Sequence, residues 1–297
     1  MIIAGHTLGT PHHDLEGALR LFRRAGLDAA EVIYQADYGA GIDPKDAAAA
    51  RRARAIADAE GVPIVALTPY TTAINAVDQS TWQGGVDELR GCIGTAHEVG
   101  ARKVRVYAGS WHADSEGHEA HWDRLREALT VLGADAAAAG VTLCVENHFG
   151  TMTQTAADTA RLVREVDSPA VRVLYDQANL TFTHDETWEQ AFAVQGDLLG
   201  HVHVKDLEFK DPNAPFRASE TARVKAEERA VRSRVVGTGI LPWQQILAEL
   251  ARRGYDDVLS LEYEYRWHPQ DLPEPEVGFA ESAREVRDIL KTLEPSS

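Results

Sequence analysis

Three short runs decide the fold of this chain: VTLCVE at 141–146, VRVLYD at 171–176 and GHVHVKD at 200–206. Each is rich in β-branched and apolar residues, as strands are. Five more runs of this kind occur: IIAG at 2–5, AAEVIY at 29–34, PIVAL at 63–67, KVRVYA at 103–108 and VLSLEYE at 258–264. Between the runs lie Ala-, Leu- and Arg-rich segments with apolar residues at helical spacing. The sequence therefore predicts eight strand–helix units.

Eight such units favour a closed barrel over an open doubly wound sheet. An open dinucleotide-binding sheet needs a Gly-rich turn after its first strand, and AGHTLGTPHH at 4–13 does not have that pattern. Glycines stand where helices should end, at Gly26, Gly61, Gly100, Gly140 and Gly254. We predict an α/β fold with a single (β/α)8 TIM barrel domain over 1–297 and a long connection, roughly 207–239, between strands seven and eight. The polar run 219–234 in that connection is expected to be helical.

Composition narrows the class of protein. Of the 297 residues, 44% are hydrophobic, which is enough for a large core, and the formal net charge is -16. Nucleic-acid affinity comes from Lys and Arg, so no nucleic-acid partner is expected. Cys92 and Cys144 are too few for a disulfide framework or a cysteine zinc site. The start of the chain lacks a signal-peptide pattern, and no apolar stretch approaches the ~20 residues of a membrane helix. We expect a cytoplasmic protein without a membrane partner, and a homo-oligomer remains open.

Titratable residues end four consecutive predicted strands. Because the carboxyl ends of barrel strands form the active-site face, these side chains should meet at one mouth. They are Glu146, Asp176, His203 and Glu262. A carboxylate that ends an apolar strand is costly unless it is paired or bound to a metal. Three carboxylates and one imidazole suit a single divalent ion such as Mn, Mg, Co or Zn.

Each of these assignments has an alternative. One charged residue at a strand end is more often a cap or a salt-bridge partner. His201 shares a strand face with His203 by the two-residue period, and we expect it in the core one layer below. Glu264 competes with Glu262 in the same way and is expected to lie in the loop beyond the strand.

Further candidates for substrate binding follow the strands. His6 and Trp111 come after strands one and four and could line the pocket. His148 and Lys205 share strand parity with Glu146 and His203. In the long connection, 207–235 holds seven Lys/Arg against five Asp/Glu. We therefore expect this stretch to cover the barrel mouth and to offer Arg232 or Arg234 to the substrate.

Several segments together resemble one family. These are VRVYAGSW, LCVENHFG, LYDQANL, GHVHVKD and VVGTGILPWQQILAELARRGYDDVLSLEYE. They are similar to the sugar phosphate isomerase/epimerase group of the xylose-isomerase-like TIM barrel family. The resemblance implies that Glu146, Asp176, His203 and Glu262 bind the metal, and that Glu146 and Glu262 also act as acid and base. Many relatives have His where this chain has Asn179. A catalytic role is therefore not carried over to Asn179, and we expect it to bind substrate instead.

The function implied is a divalent-metal-dependent isomerase or epimerase acting on a small sugar, ketose or related polyol carbonyl compound through an enediolate. The alternative is a metal-dependent dehydratase that acts on a keto-inositol-like substrate. A phosphodiesterase of the DNA-repair branch is less favoured, because it would need more His and Asp ligands at the strand ends. A barrel that binds a sugar without turnover is also open.

Overall fold

The computed structural model describes residues 1–184, 186–211, 213 and 229–293. Eight parallel strands close into a barrel. They are β1 (Ile2–His6), β2 (Ala29–Ile33), β3 (Ile64–Thr68), β4 (Lys103–Val106), β5 (Thr142–Glu146), β6 (Val171–Asp176), β7 (Leu199–Val204) and β10 (Val258–Leu261). Their order around the barrel is β1-β10-β7-β6-β5-β4-β3-β2. The predicted TIM barrel is confirmed, with strand bounds that differ from the predicted runs by at most three residues.

Helices follow the strands and cover the outside of the barrel. They are α1 (Leu15–Ala25), α2 (Ala49–Glu60), α3 (Gln79–Val99), α4 (His118–Ala139), α5 (Ala156–Val166), α6 (Gln177–His184), α7 (Trp188–Gln195), α8 (Trp243–Arg252) and α9 (Pro275–Leu293). The five predicted glycine stops all have positive φ, which only glycine adopts without strain. Every helix in the described ranges is too short or too polar to cross a membrane.

The apolar core fills the layer between strands and helices. Phe22 of α1 packs edge-on against Phe279 of α9, with ring centroids 5.0 Å apart, and both side chains are fully buried. This packing closes the ring of helices next to the first and last barrel strands, since α1 follows β1 and α9 follows β10. The barrel interior is left to the inward-facing side chains of the strands, which include the polar groups described below.

The connection between β7 and β10 contains a second, two-stranded sheet. β8 (Asp206–Phe209) pairs antiparallel with β9 (Val231–Arg234). The helix expected over 219–234 is therefore wrong at its end, where 231–234 is extended. Residues 219–228 of that prediction lie outside the described residues. Alternate residues of β9 are buried and exposed, so the two faces of this strand have different environments.

Strand register brings the predicted site residues together. Asp176 of β6 is the direct partner of His203 on β7, and His203 is also opposite Ser260 of β10. Glu146 ends β5, next to β6, and Glu262 follows β10 by one residue. All of these positions are at the carboxyl end of the barrel, where loops can build a site over them.

Candidate metal centre and active-site cavity

Four buried side chains converge at the carboxyl end of the barrel. Glu146, Asp176, His203 and Glu262 each offer a ligand atom, and these atoms all lie within 4.8 Å of one another. His203 Nδ1 lies 3.5 Å from Glu262 Oε2, 3.6 Å from Glu146 Oε1 and 3.8 Å from Asp176 Oδ2. These separations are longer than hydrogen bonds. His203 Nδ1 is therefore close to all three carboxyl groups without forming a hydrogen bond to any of them.

The other oxygen of Glu146 is held by a buried arginine. Arg105 of β4 is 1% exposed, and its Nη1 donates to Glu146 Oε2 over 2.9 Å. Its Nη2 donates to the Pro69 carbonyl, and the guanidinium lies 3.7 Å from the Tyr107 ring centroid. Asn179 Nδ2 donates to Glu146 Oε1 over 3.1 Å. Glu146 is thus fixed through both of its oxygens.

Lys205 holds the opposite side of the cluster. Its Nζ donates to Glu262 Oε2 over 2.7 Å, and it lies 3.1 Å from Asp176 Oδ2 and 3.5 Å from Glu264 Oε1. Although burial alone would lower the pKa of Lys205, the surrounding carboxylates, first Asp176 and then Glu262, raise it well above its usual range. Lys205 therefore carries a positive charge at neutral pH, at the edge of the convergent set.

Burial and neighbouring charges give the three carboxyl groups of the set different pKa values. Burial opposes ionisation of Glu146, but the nearby His148 and Arg105 groups lower its pKa to about 2. Burial also opposes ionisation of Glu262, and Lys205 lowers its pKa well below the usual range. Burial raises the pKa of Asp176 to about 7. Glu146 and Glu262 are thus ionised at neutral pH without a metal ion. Asp176 has too little positive charge around it to be held fully ionised.

The charge balance and the donor set fit a divalent cation. Four carboxyl groups are buried around His203, namely those of the set and Glu31. Arg105 pairs with Glu146, and Lys205 pairs with Asp176 and Glu262, so the carboxyl groups outnumber the permanent cations that pair with them. A divalent ion would reduce this excess of negative charge. Nδ1 of His203 is buried and has no hydrogen-bond partner within the described ranges. One imidazole and three carboxylates are ligands that Mg, Mn, Co and Zn accept in proteins.

A cavity of about 450 Å³ lies over this cluster. Its lining includes Tyr70, Tyr107, His148, Lys205, Glu262 and Trp267. The size suits a small organic molecule. Glu262 is the convergent residue that also lines the cavity, whereas Glu146 is fully buried beneath it.

Three of the predicted substrate-binding residues lie in this lining, namely His148, Asn179 and Lys205. Tyr107 approaches His148, with 3.4 Å between its hydroxyl and Nε2. His6 is fully buried and absent from the lining, and its ring offers a ligand atom within 4.8 Å of those of His203 and Glu262. The Leu8 N–H donates to His6 Nδ1 over 3.0 Å, and burial lowers the pKa of His6 to about 4. A neutral His6 therefore carries its proton on Nε2 and is a hydrogen-bond donor inside the barrel.

The structure places the other predicted contacts away from the cavity. Trp111 is 44% exposed and packs against His118, with ring centroids 5.3 Å apart. Arg232 and Arg234 both approach Glu208 on β8, with 3.6 Å from Arg232 Nη1 to Glu208 Oε1. They miss the cavity because β9 alternates, and its other face carries Val231 and Ser233 to the lining.

The cation that reaches the cavity from this connection is Arg229, within the part of the chain that the structure describes. It lines the cavity, and its Nη1 lies 3.0 Å from Asp271 Oδ2. Ser233 Oγ donates to Glu264 Oε2 over 2.7 Å and orients that carboxylate. The cation that lines the cavity from this connection is therefore a residue that sequence reasoning did not select.

Two buried charges were missed by sequence reasoning, Glu31 on β2 and Arg105 on β4. Both interrupt apolar runs, AAEVIY and KVRVYA, as Glu146 does in VTLCVE. The signal that identified Glu146, a charge in a strand that should be buried, was present at both positions. It was not used there because neither residue ends its strand.

Known proteins share this architecture and parts of this sequence. The family model described as xylose isomerase-like TIM barrel matches residues 19–289. The inosose dehydratase of Geobacillus thermodenitrificans is 29% identical over 146 residues, which is 49% of this chain and 48% of that protein. The inosose dehydratase of Clostridium botulinum is 26% identical over 172 residues, 56% of this chain and 53% of that protein. The chain thus spans about half the length of the curated relatives it matches.

Solved structures extend the likeness over nearly the whole chain. An L-ribulose 3-epimerase superposes with a TM-score of 0.75 at 21% identity, covering 98% of this chain and 95% of that one. A xylose isomerase-like TIM barrel protein from Mycobacterium smegmatis in complex with magnesium gives a TM-score of 0.74 at 18% identity, covering 99% and 98%. At these identities the likeness shows the fold. With the family model matching from residue 19 to residue 289, the chain belongs to the xylose isomerase-like TIM barrel family.

Proposed function

We propose that this protein is a divalent-metal-dependent isomerase or epimerase that acts on a small sugar, ketose or related polyol carbonyl compound through an enediolate. The observation that carries the proposal is the position of the four-residue set, which meets a small cavity through Glu262 and is therefore next to space for a small molecule. Glu146, Asp176, His203 and Glu262 would hold the metal. When bound, the ion supplies Lewis-acid polarisation of a carbonyl, worth several kcal/mol of charge stabilisation.

Residues that line the cavity would carry out the proton transfer and contact the substrate. Glu262 is ionised and faces the cavity, so it is placed to accept a proton from the carbon next to the carbonyl. Lys205 donates to Glu262 and keeps the carboxylate oriented. Epimerisation needs a second group, Glu146 or a water molecule, to deliver a proton to the same carbon from the opposite face, whereas return of the proton by Glu262 to the neighbouring carbon gives isomerisation. His148 and Tyr107 line the same cavity and are the candidates for contact with substrate hydroxyl groups.

A dehydratase is the second candidate, and two observations favour it. The two sequence relatives described above are inosose dehydratases. In addition, Glu146 is fully buried and held through both oxygens by Arg105 and Asn179, so its access to a substrate is restricted. A reaction with a single carboxylate base fits this arrangement. Glu262 would take the proton from carbon, and a hydroxyl group on the next carbon would leave with a proton as water.

Exchange of substrate hydrogen with solvent tests the proposal and separates the two candidates. The purified protein, loaded with Mn²⁺, is incubated in D₂O with a panel of ketoses and keto-inositols, and products are identified by NMR and mass spectrometry. An isomerase or epimerase yields products of unchanged formula that carry deuterium at the reacting carbon. A dehydratase yields a product that is lighter by one water. If no compound in either class exchanges or reacts, proton abstraction next to a carbonyl is the wrong reaction class.

Arg229 is expected to contribute to substrate binding, and Arg232 is not. The Arg229→Met substitution removes a cation from the cavity lining and should raise KM by roughly tenfold, the equivalent of about 1.4 kcal/mol. The matched control is Arg232→Met, on the face of β9 that is turned away from the cavity, which should leave kcat/KM within about twofold. Steady-state kinetics on the substrate found above provide the measurement. Equal effects of the two substitutions would remove Arg229 from the binding site.

A further inference from the structure

Glu31 is a buried carboxylate outside the four-residue set and next to it. It lies on β2, where every residue is buried, and it is itself fully buried. Register places it beside His6 of β1, and it points into the barrel toward β7. A carboxylate at this depth is costly unless hydrogen bonds compensate the loss of water. The hydrogen-bond partners of Glu31 therefore indicate its role.

Imidazoles surround Glu31. His201 Nε2 lies 2.9 Å from Oε2, and His203 Nε2 lies 3.2 Å from both oxygens. Thr68 Oγ1 donates to Oε1 over 2.5 Å, and His6 Nε2 is 3.8 Å from the same oxygen. Within the described ranges, no Lys or Arg forms an ion pair with Glu31. Its charge is met by histidine rings and one hydroxyl.

This geometry fixes which ring nitrogens carry protons. An ionised carboxylate only accepts hydrogen bonds, so the nitrogens that face Glu31 must donate. Nε2 of His203 therefore carries a proton, and Nδ1 is left with its lone pair in the neutral ring. Nδ1 is the nitrogen directed at Glu146, Asp176 and Glu262. Glu31 thus selects the tautomer in which His203 can bind a cation next to the cavity.

We propose that Glu31 is a positioning residue that holds His203 with Nδ1 directed into the four-residue set and so sets the affinity of that set for a divalent metal. His201 is a second hydrogen-bond donor to Glu31. This contact agrees with the expectation that His201 lies in the core one layer below His203. This inference rests on the proposed metal site. It adds a residue that would never touch the substrate and yet would determine how tightly the site is loaded.

Metal titration of Glu31→Gln tests the proposal. Glutamine keeps the size of the side chain, but its amide can also donate, so it no longer selects one tautomer of His203. Mn²⁺ affinity, measured by calorimetry, should fall by roughly 10- to 100-fold, the usual loss when a partner of a metal ligand is removed. The matched control is Glu60→Gln, a buried carboxylate that pairs with Arg20 and Arg23 in the outer layer. It should bind Mn²⁺ as the wild type does.

A second readout separates positioning from a general loss of structure. In ¹⁵N-histidine NMR of the Zn²⁺-loaded wild type, His203 should be protonated at Nε2 and coordinated through Nδ1, and Glu31→Gln should show a mixture of forms. Thr68→Val, which removes one donor to Glu31 and leaves the carboxylate, should weaken Mn²⁺ binding less than Glu31→Gln does. If Glu31→Gln is too unstable to purify, Thr68→Val and the wild-type NMR signature decide the matter alone.

The outcomes distinguish this inference from the proposed function. A wild type that binds no Mn²⁺ contradicts the metal site itself. A wild type that binds one Mn²⁺ per chain, with Glu31→Gln binding equally well, contradicts only the role of Glu31. Two ions per chain in the wild type and one in Glu31→Gln would make Glu31 a ligand of a second metal together with His201, and would overturn the positioning role.

Discussion

Glu262→Gln is expected to lower kcat by roughly 10²–10⁴-fold at saturating metal, the range for loss of a general base. Three properties of Glu262 support this expectation. It belongs to the convergent set, it lines the cavity, and its pKa is held well below the usual range by Lys205 and His203 in spite of burial. Glutamine retains the shape of the side chain but cannot accept a proton from carbon. Steady-state kinetics under metal saturation provide the measurement.

Glu264→Gln is the matched control for this substitution. Glu264 lines the same cavity and lies 3.5 Å from Lys205, but it is outside the convergent set and is held by Ser233. It should lose less than about tenfold in kcat. A Glu262→Gln protein that turns over at the wild-type rate would reduce Glu262 to a ligand, and the base would have to be sought elsewhere in the cavity.

Arg105→Met is expected to destabilise the metal-free protein by about 3–5 kcal/mol, the range for removal of one partner from a buried ion pair. Arg105 is 1% exposed, and Glu146 has no exposed surface through which water could replace the guanidinium. Methionine fills much of the same space, so the loss should reflect the unpaired charge more than a cavity. Urea unfolding of the two proteins measures the difference.

A double substitution isolates the charge effect of Arg105. Adding Glu146→Gln to Arg105→Met removes the unpaired carboxylate and should restore a large part of the lost stability. The control is Arg90→Met, which breaks surface pairs with Asp87 and Asp135 and should cost no more than about 1 kcal/mol. A double variant less stable than Arg105→Met would show that the arginine acts through packing on Tyr107 rather than through Glu146.

Sequence reasoning predicted the barrel because its signals are local and repeated. Eight apolar, β-branched runs of the same kind as VTLCVE each indicate a strand. A glycine such as Gly26 or Gly140 marks the end of a helix whatever residues surround it in the fold. The convergence of Glu146 with Asp176 followed from fold geometry alone, since parallel strands in a barrel end at one face. These inferences needed no knowledge of side-chain contacts.

Sequence reasoning failed where a contact depends on which face of an element is turned inward. Arg232 and Arg234 were chosen from a run interpreted as helical, and the two-residue alternation of β9 turns both away from the cavity. Trp111 follows a barrel strand as His148 does, but it packs on His118 outside the cavity. Glu31 contacts its partner His203 across 172 positions of sequence, a pairing that only strand order could reveal.

Glu146, Asp176, His203 and Glu262 are expected to hold one divalent metal next to the cavity. Anomalous diffraction from crystals grown with Mn²⁺ tests this most directly. We expect a single strong peak enclosed by these four side chains, with ligand distances of ~2.0–2.6 Å and with His203 bound through Nδ1. Crystals saturated with Mn²⁺ that show no peak there, or a peak bound by other residues, would contradict it.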